Sequence, residues 1–203
     1  MKRVTGLYGI TVDADAQTES KVLAALKGGC RVIQYRDKNS AKIERLRMAR
    51  KLKQSCEEND ALLIINDDVE LASLVDADGV HVGRHDESLQ AARVSLPHKI
   101  IGVSCYNQLQ LALQAEQQGA DYVAFGRFFP SHTKPNAVHA DIDLLHDAKQ
   151  KLEIPIVAIG GITINNAALL IEAGADAVAV IHGLFQQDDI ETAAKRFTEK
   201  FKG

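Results

Sequence analysis

The sequence has no apolar run near the roughly 20 residues that a bilayer-spanning helix needs, because Glu172, Asp176 or a Gly-Gly pair interrupts its most hydrophobic segments. Its first residues, Met1-Lys2-Arg3-Val4, lead straight into a strand-like segment, with no apolar signal core and no small-residue cleavage site. Cysteine is scarce: Cys30, Cys56 and Cys105 are an odd number and have neither CxxC nor Cys/His zinc spacing. That excludes a disulfide framework and a zinc finger, and leaves reduced, packed thiols of a cytoplasmic protein as the expectation. Charge of one sign is lacking too. Lys plus Arg total 24 against 27 Asp plus Glu, a net charge of −3, so no nucleic-acid-coating surface is expected, although a small basic pocket is compatible. Without a Pro/Ser-rich linker or a break in composition, residues 1–203 read as one domain.

What is present is aliphatic and regular. Apolar residues make up 46% of the chain and charged residues 25%, enough for a sizeable core. Short β-branched runs recur at 6–11, 31–36, 62–66, 79–83, 100–104, 122–126, 156–160 and 177–181. Helical periodicity fills the gaps, as in 41–57 and 109–118, and Gly119 and Gly174 stand just past two of these helices as left-handed caps. Such alternation is the signature of βα units. An internal echo, Ala77-Asp78-Gly79-Val80, Ala120-Asp121-Tyr122-Val123 and Ala175-Asp176-Ala177-Val178, opens strands four, six and eight and predicts a repeated turn at the bottom of a closed barrel. An open nucleotide-binding sheet would carry GxGxxG or a P-loop after its first strand, and Tyr8-Gly9-Ile10-Thr11-Val12-Asp13 has neither. The fold predicted is α/β, a single-domain (β/α)8 TIM barrel with its chemistry at the C-terminal strand ends.

Those strand ends are polar. The end of strand two is Gln34-Tyr35-Arg36-Asp37-Lys38, where alternation sends Gln34, Arg36 and Lys38 to one side as a fork and a point charge suited to a diphosphate. Strand three ends in Asn66-Asp67-Asp68; Asp68 reads equally as a cap on the next helix or as a site carboxylate, and Asp67 can converge with Asp86 after strand four. Two carboxylates plus substrate phosphates suit Mg²⁺. His81 and His85 have i, i+4 spacing but lie on a strand and its loop, so His81 reads as a barrel-interior residue. Ser104 ends strand five without a GxSxG elbow, so it reads as a hydrogen-bonding group and not a nucleophile. Gly126-Arg127-Phe128-Phe129-Pro130-Ser131-His132-Thr133-Lys134-Pro135 reads as a ligand-closing loop. Gly160-Gly161 and Ile181-His182-Gly183 end strands seven and eight, the usual phosphate site of such barrels.

Together these motifs resemble the thiamine phosphate synthase family along essentially the whole chain. The resemblance is carried by Gly6-Leu7-Tyr8 with Ile10-Thr11, the Gln34 to Lys38 run, Ile65-Asn66-Asp67, Gly79-Val80-His81-Val82-Gly83 with Asp86, Ile101-Gly102-Val103-Ser104, Thr133-Lys134-Pro135 and Ala158-Ile159-Gly160-Gly161-Ile162. It implies a transferase that joins 4-amino-5-hydroxymethyl-2-methylpyrimidine diphosphate to a thiazole phosphate, plain or carboxylated, with Mg²⁺ as cofactor. It further implies that Gln34, Tyr35, Arg36, Asp37, Lys38, Asn66, Ser104 and Lys134 hold the pyrimidine diphosphate, with Arg36, Lys38, Ser104 and Lys134 serving catalysis. Asp67 and Asp86 would hold Mg²⁺, and Ser131, His132, Thr133, Gly161, Ile181 and His182 the thiazole phosphate. Departures from the family pattern are Asp68 after the Asn-Asp pair, the Pro130-Ser131-His132-Thr133 loop, and Ile181-His182 after strand eight. The expected partners are small-molecule substrates, with no nucleic acid and no membrane; a homo-oligomer is left open. Two rival readings are a thiazole tautomerase-like isomerase, which needs no diphosphate-and-metal half, and a non-catalytic phosphate-ligand sensor.

Overall fold

Each of the β-branched runs becomes a parallel strand in the computed structural model, which describes residues 3–13, 15–83, 88–130 and 138–202. The strands are β1 (Gly6–Ile10), β2 (Val32–Tyr35), β3 (Leu62–Asn66), β4 (Gly79–Val82), β5 (Ile100–Tyr106), β6 (Tyr122–Phe125), β7 (Ile156–Ile159) and β8 (Ala177–Val180). They pair in sequence order, and β1 returns to β8 with Gly6 opposite Ala177 and Gly9 opposite Val180, so the sheet closes into a barrel. The helices are α1 (Thr18–Lys27), α2 (Lys42–Glu58), α3 (Val69–Leu74), α4 (Leu89–Ser95), α5 (Leu109–Gln117), α6 (Asp143–Lys151), α7 (Ala167–Glu172), α8 (His182–Phe185) and α9 (Ile190–Glu199). The short α8 lies between β8 and the last long helix, where such barrels carry an extra helix.

Two layers of core follow from the period of two along each strand. Leu7, Ile33, Leu63, Ile65, Val80 and Phe125 face outward and are buried beneath the helices. Tyr8, Ile10, Val32, Leu62, Ile64, Tyr122, Ala124, Val157 and Ala179 face inward and fill the barrel. Gly119 and Gly174 have φ of +88° and +110° just beyond α5 and α7, the left-handed turn that ends each helix.

The Ala-Asp-x-Val echo has a physical cause. Asp78, Asp121 and Asp176 each stand just before an even-numbered strand and accept a hydrogen bond from the backbone N–H of the strand before it, at Leu63 (2.8 Å), Ile101 (2.8 Å) and Ile156 (2.9 Å). Each carboxylate also meets a cation of the helix leading into that preceding strand, namely Lys53 of α2, Arg93 of α4 and Lys149 of α6. One side chain thus satisfies a strand-end donor and ties two successive βα units to each other at the barrel bottom. The device recurs through three quarters of the barrel and leaves the opposite rim free for chemistry.

Candidate active site

At the C-terminal ends of the strands a cavity of about 350 Å³ opens into the barrel. Tyr8, His81 and Tyr122 line its deep part, and Gln34, Arg36, Asn66 and Ser104 line it from β2, β3 and β5. On the far side stand Arg127, Gly161, Thr163, Ile181, His182 and Gly183. Beside it runs a more open groove lined by Asp37, Lys38, Asp67, Asp68 and Glu70. Asn66 belongs to both, so the cavity and the groove are one continuous surface.

The run at the end of β2 divides because the strand stops at Tyr35. Gln34 and Arg36 reach the cavity, whereas Lys38, beyond the regular alternation, reaches the groove with its Nζ 3.4 Å from Asp67 Oδ2. Thr11 fixes the bend: its Oγ1 accepts from the Arg36 N–H at 2.9 Å and donates to the Arg36 carbonyl at 3.2 Å. Tyr35 departs from the expected pyrimidine diphosphate contact. It alternates to the outer face of β2, is buried under the helices, and its hydroxyl donates to Asp37 Oδ2. Asp37 Oδ1 accepts the backbone N–H groups of Asn39 and Ser40, each at 3.0 Å, so this carboxylate shapes the loop. Burial pushes its pKa up, but the hydrogen bonds from Ser40, Asn39 and Tyr35 outweigh burial and hold it below the ordinary value.

Asp67 has φ +63°, a left-handed backbone that aspartate tolerates better than most residues, and its N–H donates to the His81 carbonyl at 2.9 Å. Asp68 accepts from the Leu71 N–H at 2.8 Å as the N-cap of α3, with its other oxygen 3.2 Å from Arg45, so the capping reading holds for it. Asp86, Ser131, His132, Thr133 and Lys134 lie outside the described residues. Among the described residues no three His, Cys, Asp or Glu side chains converge as a metal cage. Asp67, a hard oxygen donor in an open groove beside the cavity, fits a cation held by one or two carboxylates and by substrate phosphates.

Gly160 and Gly161 have φ of +104° and +63°, and a Cβ on them would collide with Arg127 Cβ and with the Pro130 carbonyl. Their lack of side chains therefore lets the loop after β6 lie against the end of β7. Ser104 is joined to Gln34 by hydrogen bonds across the barrel. Gln34 Nε2 donates to Tyr8 Oη (2.8 Å), the two tyrosine hydroxyls meet at 2.8 Å, Tyr122 Oη meets His81 Nδ1 at 2.9 Å, and His81 Nε2 meets Ser104 Oγ at 2.9 Å. Sequence reasoning did not single out Tyr8, Tyr122, Tyr106 and Thr163, which line the cavity, or Thr11, which holds the Arg36 backbone. For Tyr122 a signal existed, because the echo has Gly79 and Ala177 where this repeat has a large phenol. Cys105 follows Ser104 but is buried on the other face, and burial pushes its thiol up to about 12, so it does not serve as a thiolate nucleophile.

A closed (β/α)8 barrel whose C-terminal rim joins a cavity bearing arginine and amide groups to a carboxylate-bearing groove is the arrangement of a barrel enzyme that acts on small molecules. The chain belongs to the thiamine monophosphate synthase family, whose profile matches residues 7–184. It is 47% identical over 205 residues to the thiamine-phosphate synthase of Thioalkalivibrio sulfidiphilus, covering 99% of this chain and 97% of that one. To the thiamine-phosphate synthase of Marinobacter nauticus it is 52% identical over 202 residues, covering 97% and 90%. The solved thiamine phosphate pyrophosphorylase of Pyrococcus furiosus superposes with a TM-score of 0.90 at 35% identity, covering 98% of this chain and 96% of that one.

Proposed function

We propose that this chain is a single catalytic domain that makes thiamine phosphate from 4-amino-5-hydroxymethyl-2-methylpyrimidine diphosphate and a thiazole phosphate. The bond between the pyrimidine methylene carbon and the diphosphate oxygen breaks, and the thiazole nitrogen supplies the electron pair for the new C–N bond. Diphosphate leaves with the bonding electrons, and a carboxylated thiazole would also lose CO₂. The protein needs no nucleophile of its own. Its task is to hold two anionic substrates and stabilise the charge gathering on the departing diphosphate.

The observation that carries this reading is the meeting of Arg36, Asn66, Ser104, Lys38 and Asp67 along one continuous cavity and groove. Arg36 offers a planar fork and Lys38 a point charge to the diphosphate, and Ser104 and Gln34 offer hydrogen bonds from the cavity wall. Lys134 would add a third cation. The aminopyrimidine fits against Tyr8, Ile10 and Tyr122, whose apolar surface keeps water from the reacting carbon. Asp67, with Asp86, would hold Mg²⁺, which when bound supplies Lewis-acid stabilisation to the leaving group. Gly161, Ile181 and His182, with Ser131, His132 and Thr133, would hold the thiazole phosphate. None of the helices among the described residues is long and apolar enough to cross a membrane, and a cytoplasmic location suits three cysteines that are buried and form no disulfide with one another.

Mixing the protein with both substrates and Mg²⁺ tests the reading. Stoichiometric thiamine phosphate and diphosphate are expected. Isomerisation of the thiazole in the absence of the pyrimidine would instead establish a tautomerase, and tight binding of either substrate without turnover would establish a sensor.

A further inference from the structure

The barrel interior holds an unbroken line of hydrogen-bonded side chains from Gln34 to Ser104. Tyr8 and Tyr122 are both buried, and Gly102 on β5 lacks the side chain that would collide with the Tyr122 ring, so this part of the barrel is built around that phenol. Burial pushes both tyrosine pKa values upward, and each therefore carries its proton.

The order of the protons follows from one amide. Gln34 Nε2 can only donate, so Tyr8 Oη accepts there. Tyr8 then has one proton left, and Tyr122 Oη, 2.8 Å away, is its described acceptor. Were the bond reversed, the Tyr8 proton would be buried without a described partner, an arrangement that folded proteins avoid. Having accepted from Tyr8, Tyr122 donates its own proton to His81 Nδ1. The ring proton of His81 is thereby assigned to Nε2, which donates to Ser104 Oγ. Ser104, having accepted from the histidine, keeps its O–H for the cavity that it lines.

We infer that Tyr8, Tyr122 and His81 are positioning residues, which hold Ser104 as a hydrogen-bond donor to an acceptor atom of the bound pyrimidine diphosphate. The other order would turn the Ser104 proton inward and present only lone pairs to an anionic ligand. The identity of the ligand rests on the synthase reading; the direction of the chain does not.

The test has two parts. Nitrogen-15 NMR of the free protein with labelled histidine reads the His81 tautomer directly, and Nε2–H is expected; an Nδ1–H ring or a doubly protonated ring would overturn the inference. The second part is a double-mutant cycle of Tyr122→Phe and Ser104→Ala on kcat/KM for the pyrimidine diphosphate at saturating thiazole phosphate. Each single change should cost about ten- to a hundredfold, and the double variant should be no worse than Ser104→Ala alone. Losses that multiply would mean that Tyr122 serves only packing and would refute the positioning role. If Tyr122→Phe does not fold, Tyr8→Phe takes its place in the cycle with the same expectation. The NMR measurement needs no substrate, so it decides the direction of the chain even for a protein that makes no thiamine phosphate.

Discussion

Thr11 holds Arg36 by both ends of its backbone, accepting from its N–H at 2.9 Å and donating to its carbonyl at 3.2 Å. This clasp between the ends of β1 and β2 aims the guanidinium into the cavity after regular strand pairing has stopped. Thr11→Val keeps the shape and removes the clasp. It should lower stability by about 1–3 kcal/mol in urea unfolding, and should lower kcat/KM by up to about a hundredfold through a misaligned Arg36. Unchanged turnover in a destabilised variant would show that Arg36 does not depend on Thr11.

Lys38 and Asp67 are 3.4 Å apart, so an ammonium already sits where a divalent cation would approach the carboxylate. The two positive charges compete. Lys38→Met should therefore bind Mg²⁺ more tightly than the parent protein when no substrate is present, as read by calorimetry. Turnover should fall by about ten- to a hundredfold, because the diphosphate loses a charge-assisted partner. Weaker Mg²⁺ binding in that variant would contradict the competition.

The aspartates under the barrel contribute to stability and not to chemistry. Asp78→Ala removes the acceptor for the Leu63 N–H and one of the two carboxylate partners of Lys53, which keeps Glu57 at 3.2 Å. A loss of about 1–3 kcal/mol is expected in chemical denaturation. Asp78→Asn keeps an acceptor oxygen and should lose less, and kcat should stay at the parent value in both.

Much of this architecture was legible in the sequence, and the reason is local. Strand positions follow β-branched runs, so 62–66 coincides with β3 and the other seven runs differ from their strands only at their ends. The helical stretch 41–57 is α2 shifted by one residue, and of the two readings open for Asp68 the structure shows the cap on α3. What was not legible depends on register between distant strands. The link from Tyr8 to Tyr122 spans 114 residues, and no periodicity within β1 or β6 announces it. Lys38 is not legible for a related reason: β2 ends at Tyr35, and alternation does not extend to a residue three places beyond it.

A pH dependence follows from Asp37. Its folded pKa lies below that of the unfolded chain, near 3.9. Its stabilising contribution is thus complete above about pH 3.9 and is lost as pH falls through the lower folded value, where the unfolded state takes up the proton first. The urea midpoint should fall as the pH is lowered from about 5 to about 3, and Asp37→Asn should flatten that slope. An equally steep slope in Asp37→Asn would assign the acid sensitivity to other carboxylates.

The central claim is that Asp67 joins the cavity cations around a single departing diphosphate. Its most direct test is the Mg²⁺ dependence of diphosphate release, titrated side by side in the parent protein and in Asp67→Asn. The variant should need at least about tenfold more Mg²⁺ for half-maximal rate and should turn over more slowly even at saturation. The same half-maximal Mg²⁺ concentration and the same maximal rate in both proteins would contradict it.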